Sequence, residues 1–333
     1  MWTSKRTAAA LAFVLAALVA GSAHAQGSLG GQRAGTSSGS FLRIGVGARA
    51  VGMGETFVAV ANDPSAIYWN PAGLASLQRR EVSLSYVQWP ADVDFGHATI
   101  VVPIKRLGGS VGLQLGVLAT TIDETTEEQP FGTGRSFAYS DMVIGATYAR
   151  RWTDKLLVGA GLKYVHEDLG SQVGGPTTSA FLVDIGSIYY LGLGSVRIAT
   201  SLTSFGPQLE PSGDWVSPIT GELRQYAGFD PPMVFRYGLA FEPFEKANQR
   251  LTTAFEVNQP ADNEQILKAG AEWQYLRRFA LRSGYNFSVD ALKLSAGAGF
   301  VTEIDHSRLN IDYAWTDGGP LGSVHRMTLG VRF

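Results

Sequence analysis

The residue types that most often carry catalysis or bind metals are few in this chain and widely separated. There is no Cys, and the five His residues stand at positions 24, 97, 166, 306 and 325. No two of them have the spacing of metal ligands, so a zinc site would need carboxylates from distant strands. The sequence therefore predicts no metal site.

Three short motif matches lack the structural setting that their chemistry needs. Residues 35–39 and 108–112 both fit the Gly-x-Ser-x-Gly pattern of a hydrolase nucleophile, but neither stands at a strand-to-helix turn. Residues 45–50 fit the dinucleotide fingerprint, but no strand of a βαβ unit precedes them. We expect no enzyme activity, no catalytic residue and no cofactor.

Charge excludes one further class of partner. The chain has 27 Lys and Arg residues against 29 Asp and Glu residues, whereas nucleic-acid binding calls for a clustered basic face, so we expect no nucleic-acid partner. The acidic cluster Asp123, Glu124, Glu127 and Glu128 could ligate Ca²⁺ weakly. Its like charges are more typical of a solvated loop.

The first 25 residues have the three parts of a secretory signal peptide. Lys5 and Arg6 form the basic start, residues 7–20 are apolar, and residues 23–25 (Ala-His-Ala) form a small-x-small cleavage site. No later stretch approaches 18 uninterrupted apolar residues, so we expect no transmembrane helix. An exported chain of this kind is either a periplasmic β protein or an outer-membrane barrel.

From about residue 80 the hydrophobic pattern has a period of two. Residues 111–117, 156–164, 267–273 and 309–315 each place apolar and aromatic side chains on one face and Gly, polar or charged residues on the other. A barrel wall with lipid outside and a polar or packed interior has this pattern. The predicted fold is all-β, a transmembrane antiparallel barrel over residues 79–333. Its fourteen predicted strands are 80–90, 94–104, 108–120, 136–152, 155–168, 177–190, 194–204, 233–242, 249–258, 265–274, 277–288, 291–302, 307–316 and 324–333.

The connections between these strands alternate in length, although the ones after the first and eleventh strands are short and fit less well. Most long ones, such as 121–135, 169–176 and 205–232, follow odd-numbered strands. Outer-membrane barrels place short turns in the periplasm and long loops outside. The final strand, with Met327, Leu329, Val331 and Phe333 on one face, resembles the signal read by the outer-membrane assembly machinery. We expect a Gram-negative outer-membrane protein in contact with lipid.

Charged residues on the inward face of the predicted strands would lie in the lumen. There they could pair with one another, line a pathway or anchor an inserted segment, and pairing is the default expectation. These residues are Lys163, Arg197, Arg236, Lys268, Glu272, Arg282, Lys293, Arg308 and Asp312.

Residues 26–78 are predicted to be a linker and a hatch that fills the barrel. Residues 27–40 are rich in Gly and Ser, as in a mobile spacer. Residues 45–77 read as two short small-residue helices with sharp turns, because Asp63 precedes Pro64 and Asn70 precedes Pro71. Such a piece is too small to form a core alone and must pack inside something larger.

This stretch resembles the N-terminal hatch of the PorV/PorQ family and, more distantly, that of FadL-type outer-membrane transporters. The resemblance covers roughly a tenth of the chain. It is carried by Gly45, Gly47, Ala48, Arg49, Ala50, Gly52, Met53, Gly54, Asp63, Ala66, Asn70, Pro71, Ala72, Gly73 and Leu74. The remainder is similar to the family only in its pattern of strands.

The PorV/PorQ resemblance implies a component of the type IX secretion system, which binds exported cargo proteins and passes them to surface-attachment machinery. Cargo and secretion-system subunits would then be its partners, recognised by the loop 205–232. In that loop Trp215, Tyr226 and Phe229 stand among several Pro residues. Trp215 could instead belong to the aromatic belt at the lipid headgroups.

Two alternatives remain open from the sequence. One is a FadL-like passive channel for hydrophobic small molecules, in which the lumen and the hatch carry the function. The other is a purely structural outer-membrane protein. A lumen packed with aromatic and charged side chains favours the secretion role, whereas a continuous apolar tunnel past the hatch favours uptake.

Overall fold

The computed structural model describes residues 33–126, 128–217 and 220–333, and in them fourteen strands close into one antiparallel barrel. Each strand pairs with its neighbours along the chain, β7 pairs with β10 across a long loop, and β1 pairs with β16 to close the wall. The barrel strands are β1 Glu81–Trp89, β2 Val93–Ile104, β3 Gly109–Asp123, β4 Ser136–Arg151, β5 Leu156–Asp168, β6 Thr177–Tyr190, β7 Arg197–Phe205, β10 Val234–Lys246, β11 Gln249–Pro260, β12 Ile266–Tyr275, β13 Phe279–Asn286, β14 Leu294–Ile304, β15 Ser307–Asp317 and β16 Ser323–Arg332. A separate hairpin of β8 Asp214–Val216 and β9 Leu223–Gln225 lies within the long loop.

The predicted fold class and number of barrel strands are confirmed. The largest error in a strand boundary is at the end of β10, which runs to Lys246 rather than to residue 242. Pro243 explains this error, because a Pro has no N–H for the ladder and is confined to edges and bulges within a sheet. The structure absorbs it in a register shift between Phe241 and Phe244, after which pairing with β11 resumes.

The outer surface of the wall is apolar along nearly every strand. Leu113 on β3 is 52% exposed, Phe181 on β6 is 60% exposed and Leu281 on β13 is 56% exposed, while their chain neighbours point inward and are buried. A monomeric soluble protein rarely exposes so large a continuous apolar surface. This face is therefore the lipid-facing surface of a membrane barrel.

The connections at the two ends of the barrel differ in length and in charge. Turns at the end that holds Arg80 and the chain terminus Phe333 have two to six residues, whereas the loop between β7 and β10 spans residues 206–233. By the rule for outer-membrane barrels, the end with short turns faces the periplasm. Between the strands and just before β1, this end carries Arg79, Arg80, Lys105, Arg106, Lys155, Arg277 and Arg278 against only Asp154 and Asp305.

The N-terminal part of the described chain fills the lumen, and we call residues 33–78 the hatch. It contains a 3-10 helix at Ser40–Arg43, the helices α1 Ala48–Gly52 and α2 Ala66–Trp69, and a second 3-10 helix at Pro71–Ser76. No helix among the described residues is long and apolar enough to cross a membrane. The predicted signal peptide, residues 1–25, lies outside the described residues.

Local sequence explains the hatch turns. Pro71 pushes Asn70 into an extended conformation, with φ −155°, and the Asn70 side chain accepts a 3.1 Å hydrogen bond from the Ala72 N–H. Asp63 accepts a 3.0 Å hydrogen bond from the Ser65 N–H, which turns the chain into α2. Part of the predicted mobile spacer is bound to the wall. The Ser38 hydroxyl and the Gly39 N–H both donate hydrogen bonds to Glu167 on β5.

Candidate functional site in the barrel lumen

Glycines on the inward face of the wall form the seat of the hatch. A Cβ at Gly159 on β5 would lie 2.5 Å from the Pro71 carbonyl carbon, and one at Gly284 on β13 would overlap the backbone of Gly54. Gly112, Gly186, Gly238, Gly270 and Gly297 meet the hatch in the same way on five further strands. At these seven positions hatch and wall touch closely, and a side chain on the glycine would keep them apart.

A buried carboxylate of the wall binds the hatch. Glu272 on β12 is 0% exposed, and it accepts hydrogen bonds of 2.8 and 2.9 Å from the Arg49 guanidinium of the hatch. Arg282 on β13 donates to the same carboxylate at 2.7 Å and to Asp312 on β15 at 2.7 Å. Burial lowers the pKa of Arg49, but Glu272 and Asp63 outweigh this effect and raise the pKa above its ordinary value. Arg49 is therefore a fixed positive charge.

Two further contacts hold the middle of the hatch. The Lys268 ammonium on β12 donates to the Glu55 carboxylate at 2.8 Å. Burial raises the pKa of Glu55, but the charges of Lys268 and Arg326 outweigh burial and hold the pKa below its ordinary value. On β11, one Glu256 oxygen accepts the backbone N–H groups of both Phe57 and Val58 at 2.9 Å.

The turn at Asn70 is anchored on a different part of the wall. The Asn70 amide donates to the Val58 carbonyl within the hatch at 2.9 Å and to the Ser187 carbonyl on β6 at 3.1 Å. Arg197 on β7 donates to the Ala59 carbonyl and forms an ion pair with Glu242 on β10. Hatch and wall are therefore joined by polar contacts around the whole barrel.

The ten hatch residues singled out in the sequence have two kinds of position. Six of them touch the wall: Arg49, Gly52, Met53, Gly54, Asn70 and Pro71. The other four make contacts within the hatch: Gly45, Gly47, Asp63 and Gly73. An added Cβ would crowd Glu55 at Gly45, Ser65 at Gly47 and Ala61 at Gly73. The set is brought together as one packed body.

Most of the charges predicted to face the lumen do so, and all of these except Arg308 form ion pairs within the described residues. Lys163 binds Asp184 at 2.9 Å, and Arg236 donates to Thr203 at 2.7 Å. Lys293 was wrongly placed: it is exposed in the connection before β14, because this strand begins only at Leu294.

One side of the outer half of the lumen, along β1 to β6 and β16, is mostly apolar. The other side carries buried polar groups, among them Arg236, Asn258 and Thr316. Inward-facing side chains near the outer ends of the strands form one buried cluster, which the hatch residues Phe41, Ile44 and Val46 fill from below and Leu209 of the long loop covers. The wall residues of this cluster, which we call the outer lumen site, are Val87, Phe95, Leu118, Val143, Val165, Ala180, Leu182 and Val324.

Two cavities flank the packed hatch. One of about 20 Å³ lies between the outer lumen site and the hatch, beside Tyr68 and His97. The other, about 350 Å³, lies at the periplasmic mouth and is lined mainly by polar and charged groups. At the level of the hatch the lumen is charged and aromatic, and only one side of its outer half is apolar. The described residues therefore form neither the continuous apolar tunnel expected of an uptake channel nor a lumen packed throughout with aromatic and charged side chains, as expected for the secretion role.

The aromatic residues predicted for partner binding lie in separate parts of the long loop. Trp215 stands on the β8–β9 hairpin opposite Arg224 and is 37% exposed, while Tyr226 is half-buried. Phe229 is 47% exposed and exchanges backbone hydrogen bonds with Leu209 at the base of the loop. Pro218, also in this loop, falls outside the described residues.

Sequence reasoning missed Glu256 and the outer lumen site. A signal for Glu256 was present, because it stands directly opposite Lys268 in the β11–β12 register. A signal for the outer lumen site was the run Phe181-Leu182-Val183, which is apolar on both faces of β6 and so breaks the alternation. The acidic cluster of the β3–β4 loop is only partly described, since Glu127 lies outside the described residues.

No protein-family model and no curated protein matches the sequence. Solved structures match in fold. The toluene transporter TbuX of Ralstonia pickettii has a TM-score of 0.56 at 13% identity, over 86% of this chain and 97% of that chain. The toluene transporter TodX of Pseudomonas putida has a TM-score of 0.54 at 15% identity, over 86% and 97%. The monoaromatic hydrocarbon channel CymD has a TM-score of 0.56 at 13% identity, over 87% and 97%.

Identities this low show the fold alone. The chain is a FadL-like barrel of the outer membrane, which confirms the predicted fold and location. The PorV/PorQ resemblance rests on the hatch residues and receives no support from the solved structures.

Proposed function

We propose that this protein is a passive route for apolar small molecules across the outer membrane, with the outer lumen site as the place where they bind. The observation that carries this proposal is the apolar cluster on one side of the outer half of the lumen. Small-molecule sites are typically concave and apolar with a few convergent polar groups. Here Tyr68, His97 and the Lys163–Asp184 pair provide such groups at the floor of the site.

The comparisons support this choice over a secretion role. Solved barrels with the same fold, which this chain matches along 97% of their length, are named as toluene transporters or monoaromatic hydrocarbon channels. Monoaromatic or similarly small apolar compounds are therefore the first substrates to test. Since Phe41, Ile44 and Val46 occupy the outer lumen site, a solute has to displace this part of the hatch.

The proposal is tested by filling the outer lumen site. Ala180 points into it and is 7% exposed, so Ala180→Trp adds an indole where the solute would bind. The assay measures toluene uptake by cells that carry the variant as their only copy of this barrel. We expect uptake to fall at least tenfold relative to the wild type.

The matched control is Ala296→Trp, which makes the same change on the lipid-facing side of β14. Both variants are first checked for folding by the mobility of unheated protein in electrophoresis. Uptake that stays at the wild-type level in the folded Ala180 variant would contradict the proposal, as would an equal loss in both variants.

A second candidate function is recognition of exported proteins, and the β8–β9 hairpin is the observation in its favour. The hairpin projects Val216 and Leu223, which are 60% and 71% exposed, beside Trp215. Such exposed apolar side chains are typical of partner surfaces. A pull-down of the tagged barrel from solubilised outer membranes tests it. Recovery of exported proteins with a shared C-terminal domain, lost when residues 214–225 are replaced by a short Gly-Ser turn, would support the secretion role.

A further inference from the structure

The cavity at the periplasmic mouth lies between the hatch and the turns of one half of the barrel. Arg49 and Asp63 of the hatch form part of its inner wall, and the β10–β11 and β12–β13 turns form its rim. Its volume of about 350 Å³ is within the range of small-molecule sites. The outer lumen site contributes no side chain to it.

The lining of this cavity is unusually basic. It includes seven Lys and Arg side chains against three Asp and Glu side chains, although the whole chain has nearly equal numbers of each. Arg49 and Arg282 are neutralised by Glu272, and Arg332 by Glu81 at 2.6 Å. The remaining basic side chains exceed the acidic groups available to them.

Three arginines of the lining have no carboxylate partner among the residues that the structure describes. None of the ion pairs formed by the described residues includes Arg250, Arg277 or Arg308. The Nε atoms of Arg250 and Arg308 are also buried without any hydrogen-bond partner in the described part of the chain. A buried donor left unsatisfied costs free energy, and more so when the group is charged.

Arg308 has a further unfavourable neighbour. It stands directly opposite Arg332 in the β15–β16 register, and both side chains line the cavity. Like charges directly opposite each other on adjacent strands are destabilising. An anion beside Arg308 would relieve the repulsion and would accept a hydrogen bond from its free Nε.

We propose that this cavity is a binding site for an anion that carries a carboxylate or a phosphate group. Arginine suits both groups, because its planar fork donates two parallel hydrogen bonds to either of them. The basic turns at this end of the barrel, among them that of Lys105 and Arg106, add a field that concentrates anions at the mouth. This site is separate from the proposed solute site, and it does not depend on the proposed function.

The test is isothermal titration calorimetry of the purified full-length barrel in a non-ionic detergent at low ionic strength. The probes are inorganic phosphate, benzoate and benzyl alcohol, which is an uncharged analogue of benzoate. We expect phosphate or benzoate to bind the wild type and benzyl alcohol to show no binding that responds to the arginine variants. Binding of phosphate alone would identify a phosphate site, and binding of benzoate alone a carboxylate site.

Two variants remove the proposed contacts, and one matched variant does not. Arg308→Gln is expected to weaken anion binding at least tenfold. Arg277→Gln, at an exposed turn where folding is less at risk, is expected to weaken it severalfold. Arg278→Gln removes the same charge from the next residue, which does not line the cavity, and is expected to change affinity less than twofold. The proposal is overturned if neither anion binds the wild type, or if Arg278→Gln weakens binding as much as the other two variants.

Discussion

The contact between Arg49 and Glu272 is predicted to control how firmly the hatch is held. In Glu272→Gln the side chain keeps its shape but loses its charge, and it presents an amide N–H₂ to two guanidinium groups. Arg49 then retains only Asp63 and Asn62, which are both within the hatch. Its ion pair with the wall is lost.

The size of the effect follows from the burial of this site. Removing one partner of a buried ion pair costs about 3–5 kcal/mol, because the other charge is left uncompensated. At about 1.4 kcal/mol for each factor of ten, a loss of about 3 kcal/mol raises the population of displaced hatch on the order of 100-fold. The appropriate assay is single-channel recording in planar bilayers, since a displaced hatch opens the lumen to ions. We expect openings to become about 100-fold more frequent.

Asp184→Asn is the matched control. It breaks a buried pair of similar geometry, Lys163–Asp184 at 2.9 Å, in which both residues belong to the wall. This variant is expected to lower the resistance of the barrel to urea and to leave the frequency of openings unchanged. The reasoning would be refuted if Glu272→Gln opened no more often than the wild type, or if both variants opened equally often.

Two further predictions concern the seat of the hatch and its dependence on pH. Gly284→Ala is expected to lower the free energy of unfolding by about 1–3 kcal/mol, because the added Cβ overlaps the backbone of Gly54. Gly330→Ala is expected to be tolerated, because its Cβ would meet nothing closer than 3.6 Å. The urea midpoints of the two variants provide the comparison. The Lys268 contact lowers the pKa of Glu55 relative to the unfolded chain. The contact therefore stabilises the folded protein fully above the ordinary pKa of 4.5. This stabilisation is lost as the pH falls through the lower pKa of Glu55 in the folded protein. Urea midpoints measured between pH 6 and pH 3 are expected to fall more steeply for the wild type than for Glu55→Gln, and equal slopes would contradict the assignment.

The sequence was sufficient for the wall because alternation is a local property. Each strand shows which face is apolar without reference to any other strand, and β4 and β6 were placed within one residue at both ends. The seat of the hatch depends instead on barrel closure. Gly159 and Gly284 stand 125 residues apart and meet different parts of the hatch. No local pattern distinguishes them from a glycine such as Gly330, which does not contact the hatch.

The same limit explains why the outer lumen site was missed. Leu118 points inward directly after the outward-facing Val117, so the two faces of β3 are both apolar near its outer end. A pattern method registers this as a weakening of the alternation and not as a binding site. Only the closed barrel places Leu118 in one cluster with Leu182 on β6 and Val324 on β16.

The division of the lumen has a consequence for the proposed function. An apolar solute would bind favourably as far as Tyr68, but below this level it meets the ion pairs of Arg49, Glu272 and Arg282. Burying an apolar molecule there without moving the hatch would break buried ion pairs, at a cost of several kcal/mol. A fixed pore is therefore excluded, and passage has to be coupled to hatch displacement. On this argument Glu272→Gln should raise toluene uptake together with conductance, whereas Ala180→Trp should lower uptake without affecting conductance.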